Sequence, residues 1–250
     1  MTAELVANVI VAGVLTGLVY GLMALGLSVI FGVVRVVNFA HGEMMTIAMY
    51  AAVALFSVWG IDPFLAAIPV GAGFFALGYL MQAGLINPFI TRPEHSQFML
   101  MVAVAIIMVN GMLMAFGPDA RNVQIGYQLE SWELGRILFD KPRVYAAAMA
   151  LATSGLLFLF FRTTLVGKAI RACADNYLGA RVVGLNVKHL YALTFGLGSM
   201  TGALLGGVLI GLSEALAGLF IQPSAKSMFG FGLLILVLLL RPQGLMGRKA

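Results

Sequence analysis

The sequence predicts an all-α, polytopic membrane protein with about seven transmembrane helices, and three observations carry that expectation. The 250 residues are 61% hydrophobic and 10% charged. A soluble domain carries about 25% charged residues, so there is too little charge here to cover a soluble surface. Seven long stretches are almost free of Lys, Arg, Asp and Glu, and about 20 apolar residues cross the hydrocarbon core as a helix. The stretches are long and continuous, unlike the short alternating strands of a barrel.

In chain order the expected spans are Leu5–Val34, Met44–Ile61, Pro63–Thr91, His95–Pro118, Val144–Phe161, His189–Ser213 and Ile221–Leu240. The last contains only Lys226, near one end, where it can snorkel. The start, MTAEL, lacks a basic n-region, so a retained first span is expected rather than a cleaved leader. With the N-terminus outside, the inner loops hold Arg35, Arg92, Arg162, Lys168, Arg171, Arg181, Lys188, Arg241, Arg248 and Lys249. The outer side holds Arg121, Arg136, Lys141, Arg143 and Lys226. The bias favours an N-out, C-in topology. Four of the outer cations share the loop 119–143 with Asp119, Glu130, Glu133 and Asp140, which balance them. Trp59 and Trp132 fall near outer boundaries, as interfacial anchors do.

Composition narrows function as well. The net charge of +5 is spread thinly over cytoplasmic-type loops and gives no nucleic-acid signature. Cys173 is the sole cysteine, which excludes an intrachain disulfide framework and a Cys-based zinc site. His41-Gly42-Glu43 lacks the Pro-Cys-x-x-Cys partner of zinc deaminases. No HExxH and no G-x-x-x-x-G-K-[ST] phosphate loop is present. No metal and no cofactor is therefore expected.

Two glycine stripes stand out. Gly13, Gly17 and Gly21 repeat every four residues in the first span, and Gly198, Gly202 and Gly206 do so in the sixth. Residues four apart share a helix face, so each span has a smooth face that lets backbones approach closely in lipid. Ordinary helix packing and a face that slides during transport both fit.

Arg162–His189 is the basic interval between two apolar runs, with Arg162, Lys168, Arg171, Arg181 and Lys188 against Asp175 alone. Gly167 to Arg181 is rich in Ala and free of Pro, which predicts a short helix held beside the membrane. The positive-inside bias alone would also account for its charges. A second polar cluster, VRVVNFAHGEMM (Val34–Met45), crowds Arg35, Asn38, His41 and Glu43 between the first two spans. A charge within lipid costs about 2.5–3.5 kcal/mol and marks function, whereas a water-exposed hairpin, turning at Gly42, would leave these groups merely solvated. Asn110 lies mid-span, where it can bond a neighbouring helix or meet a substrate. Glu214, at the outer end of the sixth span, can face water or a pore. No chain of intramembrane acids or histidines suggests proton coupling.

Gly17–Ala52, GLVYGLMALGLSVIFGVVRVVNFAHGEMMTIAMYAA, strongly resembles the N-terminal signature of branched-chain amino acid ABC transporter permeases, the shorter of the two subunit types. AIRACADNYLGARVVGLNVKHLYALTFGLGS (Ala169–Ser199) is similar to that family's cytoplasmic coupling segment, and RPQGLMG (Arg241–Gly247) to its C-terminus. The resemblance covers nearly the whole chain. It implies one transmembrane permease domain, 1–250, with a coupling loop over 162–189 and an outer loop over 119–143. It also implies a bacterial inner-membrane, multi-pass, non-enzymatic subunit in contact with membrane lipid. Its implied partners are a second permease subunit, two cytoplasmic ATPase subunits and a periplasmic or extracellular substrate-binding protein.

The docking segment implied by the resemblance runs from Arg171 to Gly184. Ala174, Asp175 and Gly184 fall nearest the Glu-Ala-Ala…Gly-like pattern, and Gly179 lies within it. Asn38, His41, Gly42 and Glu43 match the signature block and are, with Asn110, the pathway candidates. The chain departs from the family after the coupling segment. Thr201 to Val208, TGALLGGV, runs straight into LIGLSEAL, as if two Gly-Ala joints were fused and a few dozen residues lost. Loss of a hairpin keeps the orientation of both ends. An ion-coupled carrier and a shortened, non-transporting paralogue remain alternatives, as do urea or short amides as substrates.

Overall fold

The computed structural model describes residues 3–119, 121, 123–195, 210–212, 215–216, 232–233, 235–236 and 239. The glycine stripe Gly198, Gly202 and Gly206, Glu214, the seventh span's Lys226 and the C-terminal Arg241–Gly247 lie outside the described residues.

The described chain is helical almost throughout. Helix α1 is Ala3–Val34, α2 His41–Trp59, α3 Pro63–Met81, α4 Glu94–Phe116 and α5 Lys141–Thr163. Three shorter helices follow, α6 Leu165–Asp175, α7 Tyr177–Val182 and α8 Val187–Phe195. Five helices among the described residues are long and apolar enough to cross a membrane. They match the first five expected spans to within a few residues.

Local chemistry explains where they stop. Gly60 adopts φ 65 and donates its amide to the Phe56 carbonyl, closing α2 with a left-handed cap. Two residues later the Asp62 carboxylate accepts from Phe64 N at 2.9 Å, ahead of Pro63 in the first turn of α3. Beyond Met81, α3 widens into a π-helical turn, Gln82–Ile86, and ends in a 3-10 turn, Asn87–Phe89. A helix apolar all round has to be covered by something other than its own chain. On α2 none of the residues is buried, and on α4 only Met101 is. A membrane span is a helix of this kind.

One element departs from the all-helical expectation. The outer loop folds a two-stranded hairpin, β1 Ser131–Leu134 and β2 Ile137–Asp140, paired antiparallel with Leu134 opposite Ile137. A two-residue connection favours positive φ at its first position, and Gly135 supplies it with φ 68.

The chain divides into two compact units. The first holds 1–25, 126–158 and 199–250. In it Asn8 grips the hairpin: its Oδ1 accepts from Leu138 N at 2.8 Å, and Arg136 pairs with Glu4. Gly13, Gly17 and Gly21 are all buried. A methyl placed on Gly211 would lie 2.4 Å from the Gly17 Cα and 2.6 Å from the Gly13 carbonyl oxygen. Backbones meet here with no room for side chains.

The second unit holds 26–125 and 159–198. Its core gathers Ile30, Val33 and Val34 of α1, Val36 and Ala40 of the connection to α2, Met81 and Ile86 below α3, and Met101 of α4. Ile170 and Cys173 of α6, Ala180 of α7 and Val187, Leu190, Tyr191 and Phe195 of α8 complete it. Two of the intervals expected on the inner side, 34–45 and 162–189, thus contribute to one core. Both polar clusters singled out in the sequence belong to this unit.

Candidate functional site

The basic interval begins where α6 folds back on the end of α5. Thr164 caps α6 by accepting from Gly167 N at 3.0 Å, and its own hydroxyl donates to the Phe160 carbonyl at 2.7 Å. A methyl on Gly167 would lie 2.5 Å from that carbonyl oxygen and 2.6 Å from the Phe161 Cα. Only glycine fits so close an approach. From there α6 is strongly two-faced. Gly167, Ile170 and Cys173 point into the core, and Lys168, Arg171 and Asp175 are exposed.

The single helix expected over 167–181 is broken. Asn176 is extended, with φ −146 and ψ 97, and its Oδ1 accepts from Gly179 N at 2.8 Å to start α7. A side chain that bonds the backbone locally competes with continuing a helix, and the Ala-rich texture around Asn176 conceals it. At the other end Gly184 takes φ 84. Leu185 N donates to the Ala180 carbonyl at 3.0 Å and Gly184 N to the Arg181 carbonyl at 3.1 Å. Those two bonds are a Schellman cap, so Gly184 shapes the turn rather than offering a side-chain contact.

Of the five docking candidates, Arg171 and Asp175 present exposed side chains. Ala174 is half-buried against the core, Gly179 serves the Asn176 cap and Gly184 the Schellman turn. The docking candidates omit a more conspicuous group. Leu178, Val182 and Val183 are 69%, 87% and 74% exposed on and just after α7. Only the structure shows this exposure; in the sequence the three residues look like the apolar face of a helix.

The second cluster is the connection from α1 to α2. Burial alternates along it: Val36, Asn38 and Ala40 are buried, and Arg35, Val37 and Phe39 are exposed. Such alternation is that of an extended strand. The turn lies at Arg35, which takes φ 59, and not at Gly42, which is helical in the first turn of α2. Asn38 is 3% exposed. Its Oδ1 accepts from Ala40 N at 3.0 Å and its carbonyl accepts from His41 N at 3.2 Å, so it launches α2. Its Nδ2 reaches the Met44 sulfur at 3.8 Å. Glu43 sits half-buried in the first turn of α2, where the helix dipole favours a carboxylate. Asn110 is exposed and donates to the Ile106 carbonyl of its own helix at 2.8 Å, so it is satisfied without a neighbouring helix.

Asn38 and His41 border a cavity of about 260 Å³. Helix α2 contributes His41, Met44, Met45 and Ala48, and α3 contributes Gly71, Phe74, Phe75 and Gly78. Each set follows the i, i+3, i+4, i+7 spacing of one helix face. Gly26 of α1 makes room for the His41 ring, whose Cε1 would lie 3.0 Å from a methyl there. Phe195 of α8 closes another side, 3.7 Å from a methyl placed on Gly78.

Helix α8 also ties the basic interval to α3. Asn186 caps it by accepting from His189 N at 3.2 Å. The His189 Nδ1 and Tyr79 hydroxyl share a hydrogen bond of 2.9 Å, and Asn87 Nδ2 donates to the Lys188 carbonyl at 3.4 Å. Gln82 is fully buried in the π-helical turn. Its Nε2 donates to Asn87 Oδ1 at 3.1 Å, and its Oε1 has no partner among the described residues. Such turns recur at functional sites. A lone Gln within an apolar run was the sequence signal for it. Among the described residues no three His, Cys, Asp or Glu side chains converge as a metal site.

The family described as the branched-chain amino acid transport system / permease component matches residues 9–210. The chain is similar to the high-affinity branched-chain amino acid transport system permease protein BraD of Pseudomonas aeruginosa. They are 24% identical, with 96% of this chain and 95% of the relative covered. It is 26% identical to the LivH permease proteins of Salmonella typhimurium and of Escherichia coli K12, with 94% of each chain covered in both cases. The BraD alignment runs over 294 positions, so the relative has residues for which this chain has no counterpart. No solved structure matches. A chain with five membrane-grade helices among its described residues, matched over most of its length, belongs to the family of branched-chain amino acid transport system permease components.

Proposed function

We propose that this chain is the membrane-spanning, non-enzymatic permease subunit of an ATP-driven importer for branched-chain or related neutral amino acids. It sits N-out, C-in in a bacterial inner membrane. It pairs with a second permease subunit, receives its substrate from a binding protein on the outer side, and docks two ATPase subunits on the inner side. The observation that carries the reading is the exposed apolar group Leu178, Val182 and Val183 beside Arg171 and Asp175. Apolar side chains on an inner-side segment gain by entering a groove on a partner. The flanking charges set orientation and on-rate. Movement of α7 would pass through the Schellman turn and the Asn186 cap into α8, which borders the cavity at Phe195.

The test is co-purification with co-expressed ATPase subunits. Leu178→Glu with Val182→Glu is expected to weaken association at least about tenfold, since two buried apolar anchors contribute several kcal/mol. Asp175→Lys is expected to slow association and make it more sensitive to salt. Unchanged association in the double variant overturns the docking surface. A second reading, a shortened paralogue that docks an ATPase without transporting, is favoured by the positions of BraD that this chain lacks. ATP-dependent leucine uptake by the reconstituted complex overturns that second reading.

A further inference from the structure

We infer that the cavity between Asn38, His41 and the facing helices is the station where the permease selects a neutral aliphatic side chain. The inference rests on the permease reading and names a site within it. Three properties of the cavity point to this ligand class.

The first is size. A volume of about 260 Å³ holds about nine water-sized groups at roughly 30 Å³ each. That is the count of non-hydrogen atoms in leucine, and tryptophan exceeds it by more than half. The second is charge. Among the described residues no Lys, Arg, Asp or Glu lines the cavity, and Met44, Met45, Phe74 and Phe75 form its apolar wall. A glutamate or lysine side chain entering it would be desolvated without a partner, a cost of several kcal/mol. The third is the polar end. The Asn38 amide nitrogen carries two donor protons, and its contact to the Met44 sulfur at 3.8 Å uses one weakly. That leaves a buried donor for the carboxylate of an amino acid, in a cavity that His41 also lines. A lipid chain in the same space would offer this nitrogen nothing. Methionines in the wall suit several branched shapes, because the thioether is flexible.

Gly71 provides the probe. Nothing lies within 4 Å of a methyl placed there, so a side chain grown at this position occupies the cavity without a clash at its base. The test uses the full chain in membrane vesicles, with Cys173→Ala as background and Ala48→Cys as a reporter in the cavity wall. Alkylation of the new thiol by a small reagent is timed with and without millimolar amino acids. Leucine or valine at several times its dissociation constant is expected to slow labelling about fivefold by occupancy. Glutamate, lysine and tryptophan are expected to leave it unchanged. Gly71→Leu is expected to abolish protection by leucine and to spare protection by alanine. Gly71→Ala, one methyl larger, is expected to shift the same ratio less and keeps the test readable if the larger variant fails to insert. Absence of labelling, absence of leucine protection, or equal protection by tryptophan overturns the site. So does protection indifferent to both Gly71 variants. Co-purification with the ATPase subunits is measured on the same variants. Its persistence when protection fails removes the selection site and leaves the permease reading standing.

Discussion

The two polar intervals of this chain look alike in sequence and are built in opposite ways. Val34–Met45 and Arg162–His189 each place charged and amide side chains between long apolar runs. The first is extended, and it turns its amide inward: Asn38 is buried and spends its oxygen on the start of α2. The second is helical, and it turns its charges outward. Lys168, Arg171 and Asp175 are exposed, and the small residues Gly167 and Cys173 face the core. A polar side chain in a membrane protein is therefore not by itself a sign of solvent or of substrate. Which backbone it sits on, and which way that backbone points it, decides between the two.

Three substitutions probe that contrast. Gly167→Val has the largest expected effect. Its Cβ would meet backbone atoms of Phe160 and Phe161 at 2.5 and 2.6 Å, and backbone cannot yield as a side chain can. A loss of roughly 3 kcal/mol or more is expected, read as failure to accumulate or a large drop in Tm in detergent. Asn38→Ala comes next. It strands the buried Ala40 amide, and about 1–3 kcal/mol is lost when such a donor has no partner. The check is thermal unfolding, and an unchanged Tm would show that α2 starts without this side chain. Gly42→Ala has the smallest expected effect. Nothing lies within 4 Å of a methyl there, and alanine in place of glycine favours a helix by up to about 1 kcal/mol. A slight rise in Tm is expected, and a fall would return Gly42 to the role of a turn.

Much of the fold was legible because membrane helices write themselves as long runs of one kind of residue. The Gly13, Gly17, Gly21 spacing continues structurally as Leu25, Val29 and Val33, one buried ridge along α1. What stayed illegible was set by single side chains acting on nearby backbone. Asn176 interrupts a helix whose Ala-rich neighbours all favour it. Gly135 seeds a hairpin in a loop whose balanced charges suggested only solvent. Of the residues that line the cavity, Asn38 and His41 had been singled out in the sequence, and those on α3 had not. A face made of Gly71, Phe74, Phe75 and Gly78 is indistinguishable in sequence from one that faces lipid. The exposed apolar group on and after α7 was missed for the reverse reason. Leu178, Val182 and Val183 read as helix-core residues until their exposure is known.

Cys173 gives the second unit a built-in clock. The thiol lies on the core face of α6, and burial pushes its pKa above the usual thiol value. The reactive thiolate is therefore scarce, and reagent cannot reach it while α6 stays seated. Its modification in the native chain reports how readily α6 lifts away from the core, because the thiol has to be uncovered before a reagent meets it. A partner that holds α6 down would slow that modification. The lone cysteine thus reports how firmly α6 is seated on the core of the second unit.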